Sequence, residues 1–153
     1  MNHTAPSKRI LSLADPTSKM SKSSPNPQSR ILLTDSAAEI TSKIRAAVTD
    51  SISGITFDPT ARPGTSNLLT ILASCTGEDT VDVATRYERK GHGQLKADVV
   101  DAVEELIKGP RAEFGRIRRD TAYLSQISEQ GAKKARVLSE STLREVRERI
   151  GLS

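Results

Sequence analysis

The 153-residue sequence has no tryptophan, a single cysteine, two histidines and only 3% aromatic residues. Each scarcity excludes something. With so few aromatic side chains, a core must be built from Leu, Ile, Val and Ala, which suits packed helices better than a β-sandwich. Cys75 stands alone, so an internal disulfide and a multi-cysteine zinc site are both ruled out, and a reducing compartment is the expectation. No apolar run approaches the roughly 18 residues that a membrane span needs. The opening MNHTAPSKRI has no apolar segment of the secretory kind, and it is too short and too poor in arginine for a mitochondrial presequence.

What is present is charge with a location. Over residues 1–30, Lys8, Arg9, Lys19, Lys22 and Arg30 face Asp15 alone, which accounts for the whole formal charge of +4. Residues 31–153 are neutral in sum, so the basic excess sits in one serine- and proline-rich stretch, ADPTSKMSKSSPNP at 14–27. Residues 1–33 read as loop, with Ile10, Leu11, Leu13, Ile31, Leu32 and Leu33 as short apolar patches able to dock it on a core. That supply is too small for a domain, and the segment reads as the edge of something larger.

From Ser36 the pattern becomes helical. Ser36 and Glu39 form a capping box, and Ile40, Ile44, Ala47 and Val48 predict a helix over about 37–49. Gly54, Pro59, Pro63 and Gly64 predict a loop over 51–66, with a short extended piece at Ile55–Phe57. Leu68, Leu69, Leu72 and Ala73 predict a short helix closed by Gly77. Val81, Val83, Ala84 and Tyr87 predict another, closed by a Gly91-His92-Gly93 turn. Leu95, Val99, Ala102, Val103 and Leu106 recur at helical spacing up to a stop at Gly109-Pro110, with Pro110 opening the next helix and Phe114 and Ile117 facing inward. A last helix is expected over about 131–150, with Ala135, Leu138, Thr142, Val146 and Ile150 on one stripe. The expected architecture is mainly α, a helical bundle over 34–153 preceded by the loop-rich segment 1–33.

Lys19-Met20-Ser21-Lys22-Ser23 matches the KMSKS signature of class I aminoacyl-tRNA synthetases at all five positions. A solvated Ser/Lys linker is the ordinary meaning of such composition, but the flanking blocks match too. Ser12-Leu13, Asp15-Pro16-Thr17 and Pro25-Asn26-Pro27 resemble tryptophanyl-tRNA synthetases of bacterial and organellar type. So do Ala47-Val48-Thr49-Asp50, Pro63-Gly64 with Ser66-Asn67-Leu68-Leu69, Gly91 and Gly93 before Lys96-Ala97-Asp98, and Gly131-Ala132 with Lys134-Ala135. Pro63 to Leu69 and Gly91 to Asp98 favour the tryptophan branch over a tyrosyl-tRNA synthetase relative. One departure is Ser24, where the family usually has an acidic residue.

The resemblance implies a fold and a role for each part. Residues 1–33 would be the edge of a Rossmann-type catalytic domain, otherwise missing, and 34–153 an α-helical anticodon-binding domain whose last helix packs back on the catalytic part. In the family pattern Lys19 and Lys22 hold the β- and γ-phosphates of ATP, Ser21 and Ser23 add hydroxyl donors, and Met20 lies towards the adenine. Ammonium groups that reach the pyrophosphate as its charge builds favour the transition state over bound ATP. Mg2+ is expected on those phosphates, with no metal ligands from this chain.

The His-rich motif of the Rossmann half has no counterpart around His3 or His92, so the isolated chain is expected to be inactive and to meet tryptophan only through the missing half. His92 reads as a turn residue, Cys75 as buried packing, and Asn67 as a helix cap. Partners implied by the resemblance are tRNA(Trp), ATP and a second copy in a homodimer of the complete enzyme, without a membrane, in the mitochondrial matrix or a bacterial cytoplasm. Arg86, Arg89, Lys90, Lys96, Arg116, Arg118 and Arg119, with Lys133, Lys134 and Arg136, are candidates for tRNA backbone phosphates. Solvated helix ends account for the same residues equally well. Tyr87, Tyr123, Phe57 and Phe114 read as core rather than base-stacking platforms. A non-catalytic tRNA-binding module and an inactive fragment stand as rivals to the ligase.

Overall fold

Ser36 opens the first helix as its spacing to Glu39 requires. In the computed structural model, which describes residues 9–152, the Glu39 N–H donates to Ser36 Oγ at 3.3 Å and the Ser36 N–H donates to Glu39 Oε2 at 2.7 Å. Helix α1 then runs Ala37–Ala46, three residues shorter than the apolar spacing predicts. The reason is a better offer outside the helix. The Val48 N–H donates to the Leu13 carbonyl at 2.8 Å, so the chain leaves the helical path at Ala47. The side chain of Val48 is consequently exposed, not part of the stripe.

Helix α2 spans Pro63–Thr76 and begins ahead of Leu68, with Pro63 in its first turn, where a missing N–H costs nothing. It is buried from Gly64 to Ala73. Gly64 is required by a close approach: a Cβ there would stand 2.2 Å from the Val48 carbonyl oxygen. Gly77 ends the helix at φ 73°, the left-handed conformation expected of it. The loop before α2 contains no strand at Ile55–Phe57, although Ile55 is fully buried. Helix α3, Thr80–Tyr87, is capped by Asp79, whose Oδ1 accepts from the Val81 N–H at 2.8 Å. Val83, Ala84 and Tyr87 face the core, while Val81 is exposed.

The largest departures come next. His92 and Gly93 do not close α3 but open α4, which runs His92–Arg119 straight through Gly109-Pro110. A proline inside a helix removes one backbone bond and crowds a carbonyl one turn back. Here Gly109 and Pro110 are both exposed, so water can satisfy the freed carbonyl of Leu106, itself exposed. Phe114 is exposed rather than inward. Helix α5, Thr121–Arg149, starts ten residues before the predicted one, because Asp120 caps it through Oδ1 and the Tyr123 N–H at 2.9 Å.

The chain divides into two compact units, one up to Arg111 and one from Ala112. In the first, Leu13 packs with Ile40 and Ile44 of α1, Leu68, Leu69 and Leu72 of α2, Val83 of α3, and Leu95, Val99 and Val103 of α4. The architecture is mainly α, with one isolated antiparallel bridge, Leu11–Lys19, among the described residues. The second unit holds α5, none of whose residues is buried.

Candidate functional site

The lysine-bearing loop hangs on a short two-stranded stem. The Ser12 N–H donates to the Ser18 carbonyl at 2.9 Å and the Met20 N–H to the Ile10 carbonyl at 3.0 Å, which brackets the Leu11–Lys19 bridge. The turn between is held by Asp15, whose Oδ1 accepts from the Thr17 N–H at 3.1 Å and the Thr17 hydroxyl at 2.6 Å. Those bonds, led by the hydroxyl, hold the Asp15 carboxyl below its ordinary range.

Beyond Lys19 the loop is a series of short turns. Ser21 accepts the Ser23 N–H on its Oγ and the Ser24 N–H on its carbonyl, both at 3.3 Å. Arg30 fixes the return path, donating through Nη1 to the Ser24 carbonyl at 2.7 Å and the Asn26 carbonyl at 3.2 Å. Lys19, Ser21, Lys22 and Ser23 are exposed, whereas Met20 is half-buried against the core. Neither Lys19 nor Lys22 enters an ion pair among the described residues. The result is a pair of free ammonium groups on a fixed base.

The first unit also contains a polar hub that sequence reasoning missed. Arg62, 3% exposed, donates from Nε and Nη2 to Asp50, from Nη1 to Thr56 Oγ1 at 2.9 Å, and from Nη2 to the carbonyls of Ile52 and Gly54. This fork, with Thr65, holds the Asp50 carboxyl far below the usual carboxylate range despite partial burial. Thr65 donates its only proton to Asp50 Oδ2 at 2.6 Å, so it must accept from His92 Nε2 at 3.0 Å. That assigns the His92 proton to Nε2 and makes His92 a tie between α4 and α2, not a turn residue. A second buried pair joins Lys43 Nζ to Asp35 Oδ2 at 2.6 Å.

Asn67 does not cap α2. It lies within the helix, 4% exposed, and pairs with the backbone of Leu11, accepting its N–H at 2.8 Å and donating to its carbonyl at 3.0 Å. A legible signal existed, since an asparagine set against Leu68 and Leu69 in a buried helix needs a partner for its amide.

The basic candidates separate into kinds. Lys96 caps the end of α1, donating to the carbonyls of Arg45 at 3.0 Å and Ala47 at 2.8 Å, and burial lowers its pKa. Arg86 is forked on Glu78, and Arg116 on Glu113 at 2.9 and 2.5 Å. Lys90 lies 4.4 Å over the Tyr87 ring. Tyr87 in turn donates to Asp98 Oδ2 at 2.5 Å, and burial followed by that carboxylate pushes its pKa up. Arg89 in the first unit and Arg118 and Arg119 in the second are exposed and enter no ion pair among the described residues.

The family model for tRNA synthetases class I (W and Y) matches residues 2–108. The chain belongs to that family. Within this synthetase family it is 40% identical over 145 residues to a tryptophan–tRNA ligase of Bacillus anthracis, covering 95% of this chain and 44% of the relative. A crystal structure of tryptophanyl-tRNA synthetase from Mycoplasma pneumoniae superposes with a TM-score of 0.76 at 29% identity, covering 95% and 44% of the two chains. Another, from Campylobacter jejuni and complexed with ADP and tryptophan, gives 0.72 at 25% identity, covering 94% and 44%. The synthetase chain thus spans less than half the length of the relatives it matches, and those relatives are bacterial. No helix among the described residues is long and apolar enough to cross a membrane.

Proposed function

We propose that this chain supplies the ATP-gripping loop and the tRNA-facing helical part of a tryptophan–tRNA ligase. The overall reaction consumes ATP, tryptophan and tRNA(Trp) and releases AMP and pyrophosphate. The carrying observation is the pair Lys19 and Lys22, exposed, without ion-pair partners among the described residues, and mounted on a hydrogen-bonded stem. When the carboxylate of tryptophan attacks the α-phosphorus, charge builds on the departing pyrophosphate. Two mobile ammonium groups that meet it there stabilise the transition state more than bound ATP. Ser21 and Ser23 add hydroxyl donors, and Met20 lines the adenine side. Among the described residues no cluster of three or more His, Cys, Asp or Glu side chains is placed to hold a metal. In this reading Mg2+ arrives on the nucleotide.

Contacts to tRNA phosphates fall to the candidates without ion pairs among the described residues, Arg89, Arg118, Arg119, Lys134 and Arg136, with Lys90 beside Tyr87. Arg86, Lys96, Arg116 and Lys133 are occupied by partners of their own. The apolar stripe of α5 packs on the catalytic part, and the complete enzyme is a homodimer. The bacterial relatives favour a bacterial cytoplasm over the mitochondrial matrix.

The test is tryptophan-dependent ATP–pyrophosphate exchange. Residues 1–153 alone give none. Joined to the part of the Bacillus anthracis ligase that this chain does not match, the fused protein exchanges. Lys19→Ala or Lys22→Ala then lowers kcat by about 10²-fold or more, the scale for losing one transition-state donor. Unchanged turnover in both variants refutes the assignment of the loop.

A further inference from the structure

The stem of the lysine loop has an open edge, and one side chain closes it. In an antiparallel pair, residues facing each other without mutual hydrogen bonds point their own N–H and C=O groups away from the partner strand. Leu11 and Lys19 form such a pair, because the bonds run from Ser12 to Ser18 and from Met20 to Ile10. The backbone groups of Leu11 therefore face outward and need partners. The next outward residue, Leu13, finds ordinary backbone partners, donating to the Ser29 carbonyl at 2.9 Å and accepting from the Val48 N–H at 2.8 Å. Among the described residues Leu11 finds only Asn67, fifty-six residues away on α2, whose amide accepts at 2.8 Å and donates at 3.0 Å in the manner of a third strand. A carboxamide is the side chain that offers both a donor and an acceptor in a plane.

We propose that Asn67 is a positioning residue for the lysine loop: by completing the edge at Leu11, it fixes the height of Lys19, the residue opposite, relative to α2. The consequence for ATP rests on the ligase reading above. The fastening itself does not. Asn67 touches no reacting atom, so its effect on chemistry runs entirely through where Lys19 and Lys22 stand.

The test uses the 153-residue chain and backbone amide exchange followed by NMR. In Asn67→Ala, protection of the Leu11 amide falls about tenfold or more, the worth of a buried hydrogen bond. Met20 and Ser12 amides fall with it, while α3 amides hold. Ser66→Ala is the control, because Ser66 lies buried on the same helix and serves the Asp58 N–H at 2.9 Å instead. It leaves Leu11 protection intact. Should the alanine variant not fold, Asn67→Leu keeps the branched outline and removes both amide bonds without adding a charge, and it must still loosen Met20. Unaltered Leu11 and Met20 protection, or an equal loss in Ser66→Ala, overturns the proposal.

In the fused enzyme, Asn67→Leu lowers kcat severalfold, as weakening a transition-state contact does, and leaves KM for tryptophan unchanged. An unchanged kcat, or a shift in KM for tryptophan as large as the fall in kcat, overturns the link from Asn67 to the lysines. Absence of exchange in the unsubstituted fusion instead refutes the ligase reading, and amide protection then decides the role of Asn67 by itself.

Discussion

The polar hub beneath α2 and the tip of the lysine loop use the same kind of side chain in opposite ways. In the hub, Arg62 is 3% exposed and directs its nitrogens at a carboxylate, a hydroxyl and two carbonyls. In the loop, Lys19 and Lys22 are exposed and have no carboxylate partner among the described residues. Lys43, paired with Asp35, and Lys96, on the end of α1, belong with Arg62. A cation held by partners within the fold serves the fold, and an exposed one without an ion pair is available to a ligand. By this criterion Lys19 and Lys22 sort with Arg89, Arg118 and Arg119, and they differ from those in sitting together on one hydrogen-bonded stem.

The comparison breaks most visibly at Arg62. Replacing it by alanine leaves Asp50 without its fork and two carbonyls without a donor in a protected site. Removing one partner of a buried ion pair typically costs about 3–5 kcal/mol, against a total of about 5–15 for a whole domain. Arg62→Ala is therefore expected to unfold the first unit or to lower its urea midpoint severely. Lys19→Ala is expected to leave that midpoint where it was. Equal midpoints for the two variants would erase the distinction between the hub and the loop.

Much of this was legible, and the residues explain where it was not. Ser36 and Glu39 announced α1 because a capping box is local chemistry. Gly77 announced the end of α2 for the same reason. The five-residue loop is legible as a family signature because its residue types are contiguous in sequence, and the family model matches over residues 2–108. Pro110 misled because a proline stops a helix only where its freed carbonyl has no alternative, and at an exposed turn water is the alternative. Asn67, Asp50 and Arg62 were not readable in role because each acts on a partner 12 to 56 residues away. Helix spacing carries no information about such pairs. Arg86, Lys96 and Arg116 looked like phosphate ligands for the same reason, since a sequence does not show which cations already have partners.

Acid sharpens the comparison by a smaller amount. The folded Asp50 carboxyl titrates below its unfolded value of about 3.9. A depressed folded value means the stabilisation is complete above the unfolded pKa and is lost as pH falls through and below it. Asp50→Asn is thus expected to be less stable than the parent chain near pH 7, with the gap narrowing steadily as pH drops below about 4. Depressed carboxylates elsewhere, Asp15 and Glu39 among them, are common to both proteins and cancel in the difference. Urea midpoints across that range are the measurement. A gap that stays constant would mean the Asp50 charge contributes nothing to the hub.

The least effect on the chain itself belongs to α5, where comparison with the first unit turns on apolar rather than charged groups. Leu124, Ile127, Gly131, Ala135, Leu138, Thr142 and Val146 recur every three or four residues along one face. Leu138 is 81% exposed, where Leu69 in α2 is fully buried. Replacing an exposed leucine removes no packing, so Leu138→Glu is expected to leave the helicity and urea midpoint of the 153-residue chain unchanged. In the fused enzyme the expectation reverses, because a leucine buried against the catalytic part gains about 1.5–3 kcal/mol and a carboxylate there loses more. Val137, 78% exposed and one position off the stripe, supplies the contrast. Val137→Glu should be silent in both proteins. If Leu138→Glu is equally silent in the fused enzyme, α5 is a solvated helix in both settings and its stripe receives nothing.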